Sequence, residues 1–491
     1  MIDAFSEAIA TILTGEPVLW LVLGVLIGIF VGSLPGIGAS LGMALILPLT
    51  LPLDGVNAII LLVSIYSGGM YGGSIAAILL NAPGTSAAAA TTLDGYPLSR
   101  QGFAITALAM SATASTLGGF ITIILLVLIS PFLVQVVLMF GSPEYFLISL
   151  LGISMIAIVA RGSILKGIIS GMFGLLIATV GIAPMIPQQR YTFGSFILYD
   201  GISFVAALIG LFAIAEMINL AGEEGGVAKS SVEITGSVKD GIMSVLKRPY
   251  LVTKSSLIGM GIGSIPGAGS TVSTFVAYAE ALRSSSTSES FGEGNHEGVI
   301  SAESANNATI SGSLIPTFSF GIPGSGATAV LLGGLIMHGL QPGPNLFSAD
   351  LAITYTVFIA LFLGNFIILA VGLTLISRMG YLTRIDTDII IPIIVVLGVV
   401  GGFLLRLNWL DVFTVLALGI IGYYMKKYDY SIIALVLGIV LGPIAEENLA
   451  RSLVLSDGSL LIFVSKPLSL LIVIAIVALT IGPFLKKAFI D

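Results

Sequence analysis

Apolar runs, most close to the length of a membrane span, follow one another along almost the whole chain. About 20 consecutive apolar residues cross a bilayer as a helix. In the first half such runs occupy 18–34, 38–52, 56–80, 104–139, 144–160, 164–183 and 201–222. The second half carries them at 254–265, 268–283, 299–321, 325–340, 350–378, 387–405, 409–425 and 430–445, with one more at 467–485. The run 104–139 is too long for one span, and Pro131 is expected to end it and leave a short interfacial piece. Residues 284–298, rich in Ser, Glu and Gly, read as a hydrophilic loop with no counterpart in the first half. The pattern predicts an all-α polytopic membrane protein. It divides into a first repeat (1–222), a cytoplasmic linker (223–253), a second repeat (254–450) and a C-terminal transmembrane helix with its tail (451–491).

The division into repeats rests on matched interruptions of the apolar pattern. Pro35 corresponds to Pro266, and the same spacing carries Gly28, Gly32, Ser33, Gly36 and Gly38 onto Gly259, Gly263, Ser264, Gly267 and Gly269. At a slightly longer spacing, Asn81-Ala82-Pro83-Gly84-Thr85-Ser86-Ala87 matches Gly321-Ile322-Pro323-Gly324-Ser325-Gly326-Ala327. Tyr199-Asp200 and Asn219-Leu220-Ala221 recur as Tyr428-Asp429 and Asn448-Leu449-Ala450. Each Pro-Gly pair breaks a helix, because Pro removes a donor and clashes with the preceding turn. Within a bilayer, broken backbone is tolerated only where protein buries it or it lines a cavity. Matched broken helices in two halves of a chain point to the binding site of a secondary transporter.

Composition excludes other classes. The 491 residues are 56% hydrophobic and 9% charged, with mean hydropathy +1.10, whereas soluble domains carry about 25% charged residues. There is no cysteine and only two histidines, His296 and His338, so a metal centre is not expected. No basic stripe suggests nucleic acid. Asp3, Glu7 and Glu16 precede the first run and no Lys or Arg occurs before Arg100, so a cleaved leader is not expected.

Lys and Arg mark cytoplasmic loops. Lys229, Lys239, Lys247, Arg248 and Lys254 place the linker inside. Arg100, Arg161, Lys166, Arg378, Arg384, Lys426, Lys427, Lys486 and Lys487 fit that side, and the cation-free 334–348 falls outside. The loop after the first Pro83-Gly84 break is then inside and its counterpart outside, so the repeats are read as inverted. Arg190, Arg406, Arg451 and Lys466 do not fit.

Each break starts a new helix, and a helix start carries free N–H groups and about half a positive charge, a ready anion site. The candidate substrate-binding residues are therefore Ser33, Pro35, Gly36, Gly38 and Ser40 at the first tip, and Asn81, Pro83, Gly84, Thr85 and Ser86 at the second. Ser264, Pro266, Gly267, Gly269, Ser270 and Thr271 form the third, and Pro323, Gly324, Ser325, Gly326 and Thr328 the fourth. Asn306 and Asn307 are either further ligands or interhelical glue. The same hydroxyls and freed carbonyls can ligate Na⁺. His338 reads as a loop residue, Glu216 and Glu446 as interfacial or capping residues, and Arg406 as snorkelling to the interface. No charged residue is read within a strong apolar run, which favours Na⁺ bound by neutral oxygens over a proton relay. No catalytic set or phosphate-binding motif is present, so an enzyme is not expected.

Gly-Ser-Leu-Pro-Gly-Ile-Gly at 32–38, Tyr-Gly-Gly-Ser-Ile at 71–75, Leu-Asn-Ala-Pro-Gly-Thr at 80–85, Leu-Asp-Gly-Tyr-Pro-Leu at 93–98 and Gly-Ile-Pro-Gly-Ser-Gly at 321–326 resemble the large membrane subunit of the tripartite tricarboxylate transporters. The likeness covers nearly the whole chain. It implies a permease in a bacterial inner membrane, working with a small four-helix membrane subunit and a periplasmic solute-binding protein. It also implies import of citrate or another carboxylate, typically with Na⁺ as coupling ion and no organic cofactor. The alternatives are an anion channel and a transporter for another carboxylate-bearing solute such as an amino acid. The oligomeric state, a homo-oligomer included, is left open.

Overall fold

The computed structural model describes residues 2–159, 163–183, 187–222, 235–375, 378 and 387–490. Arg161, Lys229, Arg384 and the first part of the linker (223–234), all used in the charge argument, lie outside the described residues. The first half folds into α1 (Ile2–Leu13), α2 (Glu16–Ser33), α3 (Gly38–Ile46), α4 (Gly55–Leu80), α5 (Ala89–Arg100), α6 (Ala104–Leu138), α7 (Ser142–Val159), α8 (Ile164–Ala178) and α9 (Phe204–Ala221). The second half gives α10 (Val238–Leu246), α11 (Pro249–Gly263), α12 (Gly269–Ser284), α13 (His296–Phe320), α14 (Gly326–Met337) and α15 (Leu351–Thr374). It continues with α16 (Thr387–Arg406), α17 (Trp409–Lys427), α18 (Ile432–Leu455) and α19 (Pro467–Ile490). β1 (Gly181–Ile182) and β2 (Gln189–Arg190) pair antiparallel, Gly181 opposite Arg190. Among the described residues, α2, α4, α6, α9, α15, α17 and α18 are long and apolar enough to cross a membrane. The chain is an all-α polytopic membrane protein.

Two helices form the centre, and they match. α4 starts from Asp54, whose carboxylate accepts from Val56 and Asn57 N–H, and ends where Asn81 turns left-handed (φ 57°). α13 starts from Asn295, whose side chain accepts from Glu297 N–H, and ends where Gly321 turns the same way (φ 68°). Asn and Gly are the residues that adopt this conformation at least cost. Every residue from 298 to 314 is buried, although α13 is rich in Ser, Thr and Asn.

Small residues let other helices close on these two. A Cβ on Gly28 would lie 2.4 Å from the Ile65 carbonyl oxygen, and one on Gly32 2.3 Å from that of Gly69. Gly259 and Gly263 stand in the same relation to Ala305 (2.5 Å) and Thr309 (2.7 Å). The α2–α4 and α11–α13 pairs thus pack at equivalent positions, by the small-residue contact expected between membrane helices.

Several expectations need correction. α6 does not end at Pro131 but runs on to Leu138. Pro131 cannot donate to the Val127 carbonyl, and the Ser130 hydroxyl does so instead at 2.8 Å, the kind of local repair that lets membrane helices carry Pro. Arg406 pairs with the buried Asp411, a partner the charge pattern did not announce. Arg190 and Glu446 form a two-pronged ion pair at 2.8 and 2.9 Å, so Glu446 is a partner and not a cap. The loop 284–298 is fastened from the other half. Asp94 accepts N–H bonds from Gly292, Gly294 and Asn295 at 2.7–2.9 Å and the Tyr278 hydroxyl at 2.9 Å.

Candidate functional site

The four broken tips meet around one cleft of about 1180 Å³. Its wall includes Gly36, Gly38, Ser40, Pro83, Gly84, Thr85, Ser86, Pro266, Gly267, Gly269, Ser270, Thr271, Ser325 and Gly326. The tips touch in two pairs across the halves. Thr271 Oγ1 donates to Ser86 Oγ at 2.9 Å. A Cβ on Gly326 would lie 3.1 Å from Ser40 Oγ.

The tips are of two kinds. α3 and α12 follow a pair of positive-φ glycines, Gly36 and Gly38 (80° and 67°) and Gly267 and Gly269 (74° and 70°). The residues at their cap positions are Ile37 and Ala268, and no side chain caps either end. The other two ends are closed. Thr85 caps the turn leading into α5 by accepting from Ala88 N–H. Ser325 and Thr328 close α14 with a reciprocal capping box. A capping hydroxyl satisfies one of the orphan donors of a helix start.

The remaining candidates lie off the cleft. Ser33 and Ser264 turn back to the carbonyls of Phe30 and Gly261, both at 2.7 Å, a common fate of hydroxyls in helices. Pro35 precedes the first tip without lining the cleft, and Asn81 is the left-handed end of α4. Pro323 and Gly324 are buried beside the fourth tip. Asn306 donates to the Met70 carbonyl at 3.1 Å, and Asn307 donates to Ser115 O at 2.9 Å and to Asn365 Oδ1 at 2.6 Å. Both asparagines bond between helices.

The rest of the wall brings charge that the motifs did not announce. α9 widens into a π turn over Ile209–Ile214 and presents Leu211, Phe212, Ala215 and Glu216 to the cleft. Glu216 is an ion-pair partner: Lys426 Nζ holds it at 2.7 Å. A Cβ on Gly36 would lie 3.6 Å from its Oε1. Lys166 also lines the cleft and donates to the Tyr428 carbonyl at 2.7 Å. His338 caps the end of α14, with Nε2 3.0 Å from Thr50 Oγ1.

One expectation fails outright. An ionisable residue does sit inside a run read as apolar: Glu303 of α13 is fully buried. Thr91 Oγ1 donates to its Oε1 at 2.5 Å and Ser111 Oγ to its Oε2 at 3.0 Å. Flanking Ser, Ala and Asn residues disguised it, because a single chain does not show that these small polar residues face other helices.

Fold and cleft together define a multi-pass membrane protein with broken helices around a central cavity. A family model described as the tripartite tricarboxylate transporter TctA family matches residues 18–437, and the chain belongs to that family. The family is the permease component of tripartite transporters, which also contain a small membrane subunit and a periplasmic binding protein. An Agrobacterium vitis protein described as an uncharacterized 52.8 kDa protein in the TAR-I ttuC' 3'region is 36% identical over 502 residues, covering 100% of this chain and 99% of that protein. A second from the same organism, an uncharacterized protein in the TAR-II ttuC' 3'region, is 32% identical over 211 residues, covering 43% of this chain and 87% of its own length. No solved structure matches.

Proposed function

We propose that this chain imports an organic di- or tricarboxylate with Na⁺, receiving it from a periplasmic binding protein, and that the carboxylates bind at the N-termini of α3 and α12. The observation that carries the reading is that these two tips, one from each half, face the same cleft without side-chain caps. Their free N–H groups and dipoles suit an anion. A neutral site of this kind needs no buried Arg, which would be costly when empty. Na⁺ would use hydroxyls and carbonyls of the same tips, with Ser86 and Thr271 the nearest pair.

Energetics require a coupling cation. An inside-negative potential opposes each negative charge by about 2.3 kcal/mol per 100 mV, roughly 7 kcal/mol for a trivalent anion. Lys166 and Lys426 at the cleft belong to loops that the charge rule places inside, so the conformation is read as open to the cytoplasm. The inverted repeats would then switch access by one unit moving against the other.

The test is uptake of a labelled carboxylate panel, citrate first, into proteoliposomes holding this chain and its small partner. It is run with and without a Na⁺ gradient and with the binding protein outside. Uptake that needs both Na⁺ and the binding protein is the expected result. Uptake that ignores both, with single-channel currents, would replace the transporter by an anion channel.

A further inference from the structure

Glu303 is a buried carboxyl that the tip site does not use. Its hydrogen-bond partners are hydroxyls: Thr91 on α5 and Ser111 on α6, one to each oxygen. Ser74 on α4 faces the same carboxyl, with its hydroxyl buried and otherwise unpartnered. α4 and α13 run antiparallel along this strip. Tyr66 meets Ser313 (3.3 Å), Met70 meets Asn306 (3.1 Å), and Ser74 meets Glu303. The Asn306 Oδ1 atom is also buried without a partner. At the other end the Tyr66 hydroxyl lies 3.4 Å from Ser325 Oγ, and Tyr66, Met70 and Ser325 line the cleft. From Tyr66 to Ser74 is two turns of α4, about 12 Å. Polar groups therefore recur about once per turn between the cleft and Glu303.

Among the described residues, no ion pair to this carboxyl is formed. α13 packs against α4, α5, α6, α11, α12 and α14. From α4, Tyr71 faces Glu303. Asp94 of α5 is engaged by Tyr278 of α12 and by the 292–295 backbone. Lys254 of α11 and Arg283 of α12 pair with Glu280, and Arg248 pairs with Glu297 at the start of α13. α6 and α14 carry no charged side chain. An unpaired carboxylate is costly to bury, and taking up a proton removes the charge. Each oxygen is met by a hydroxyl at hydrogen-bond distance, and a hydroxyl can donate to the ionised carboxylate or accept from the protonated carboxyl. Ionisable groups inside membrane segments are characteristic of proton pathways.

We infer that Glu303 is a proton-coupling site: it exchanges a proton with the cleft through the Ser74–Asn306–Tyr66 strip and adds H⁺ to the cations that drive import. The inference rests on the transport reading above and extends it to a second ion.

The test compares wild type with Glu303→Gln in proteoliposomes at a fixed Na⁺ gradient. The substrate is a transported dicarboxylate that stays fully ionised across the pH range used. For one coupled proton, making the outside one pH unit more acidic should raise wild-type accumulation about tenfold. In E303Q that gain should vanish while substrate exchange at equal pH persists. Wild-type accumulation indifferent to the pH gradient, or E303Q as sensitive as wild type, would overturn the proposal. A second readout needs no substrate: infrared difference spectra across pH should show a titrating protonated-carboxyl band that E303Q lacks. If that band is absent from the wild type, the site fails even where transport succeeds. If no carboxylate is transported but the band titrates, the substrate reading fails and the proton site stands. Should E303Q fold poorly, Ser111→Ala should shift the midpoint of the band, and an unmoved midpoint would count against the site.

Discussion

The two kinds of helix tip that meet in the cleft begin from the same motif and end as different chemistry. Both follow a Pro-Gly break. After the second break Thr85, and before α14 Ser325, lies at a cap position with extended backbone; Thr85 closes the 3-10 turn that leads into α5, and Ser325 closes α14 itself. At α3 and α12 the cap position is taken by Ile37 or Ala268, and the hydroxyls of Ser40 and Ser270 come too late in the helix to cap it. One pair of tips is internally satisfied and structural. The other has no side-chain cap over its amides. The chain uses the same break once in each half for each purpose, so a Pro-Gly motif alone does not identify a binding tip.

Substitution at an open tip should have the largest effect. Gly36→Val and Gly267→Val place a branched side chain at φ of 80° and 74°, where an L-residue pays about 1–2 kcal/mol or more, and they cover the amides. Carboxylate uptake should be lost at unchanged membrane abundance. Retention of uptake by both variants, with folding verified, would falsify the assignment of substrate to these tips.

A smaller effect is expected where charge borders the open tip. Lys426→Gln leaves Glu216 unpaired beside Gly36, repelling an anion. KM should rise about tenfold, the equivalent of 1.4 kcal/mol, with kcat little changed. The double variant K426Q/E216Q should recover most of that loss, and initial-rate kinetics on the three proteins decide it. A KM that stays high in the double variant would mean that Lys426 acts otherwise than by neutralising Glu216.

The closed tips should give the smallest change in transport. Thr85→Ala and Ser325→Ala each remove a cap, at a cost of about 1 kcal/mol, visible as a lower melting temperature in detergent. KM should stay within about twofold of wild type, since a factor of two is only about 0.4 kcal/mol. If either variant raised KM as strongly as a change at Gly36 lowers uptake, the distinction between open and closed tips would collapse.

The sequence determined a good deal by itself. Run lengths located the helices, because a span must satisfy its own backbone in lipid and so cannot be short or irregular. The spacing of Pro35 and Pro266, and of Pro83 and Pro323, located the breaks, because Pro and Gly act on the backbone locally. Pro131 misled for the same reason: the local rule holds, but Ser130 supplies the missing hydrogen bond to Val127. Tertiary structure decided the rest. It assigned Asn306 and Asn307 to interhelical bonds, matched Arg190 with Glu446 and Arg406 with Asp411, and enclosed Glu303 among α4, α5 and α6. The partners in each case come from distant parts of the chain or depend on how a helix is turned. Burial and pairing are properties of which surfaces meet, and no periodicity within one segment encodes them.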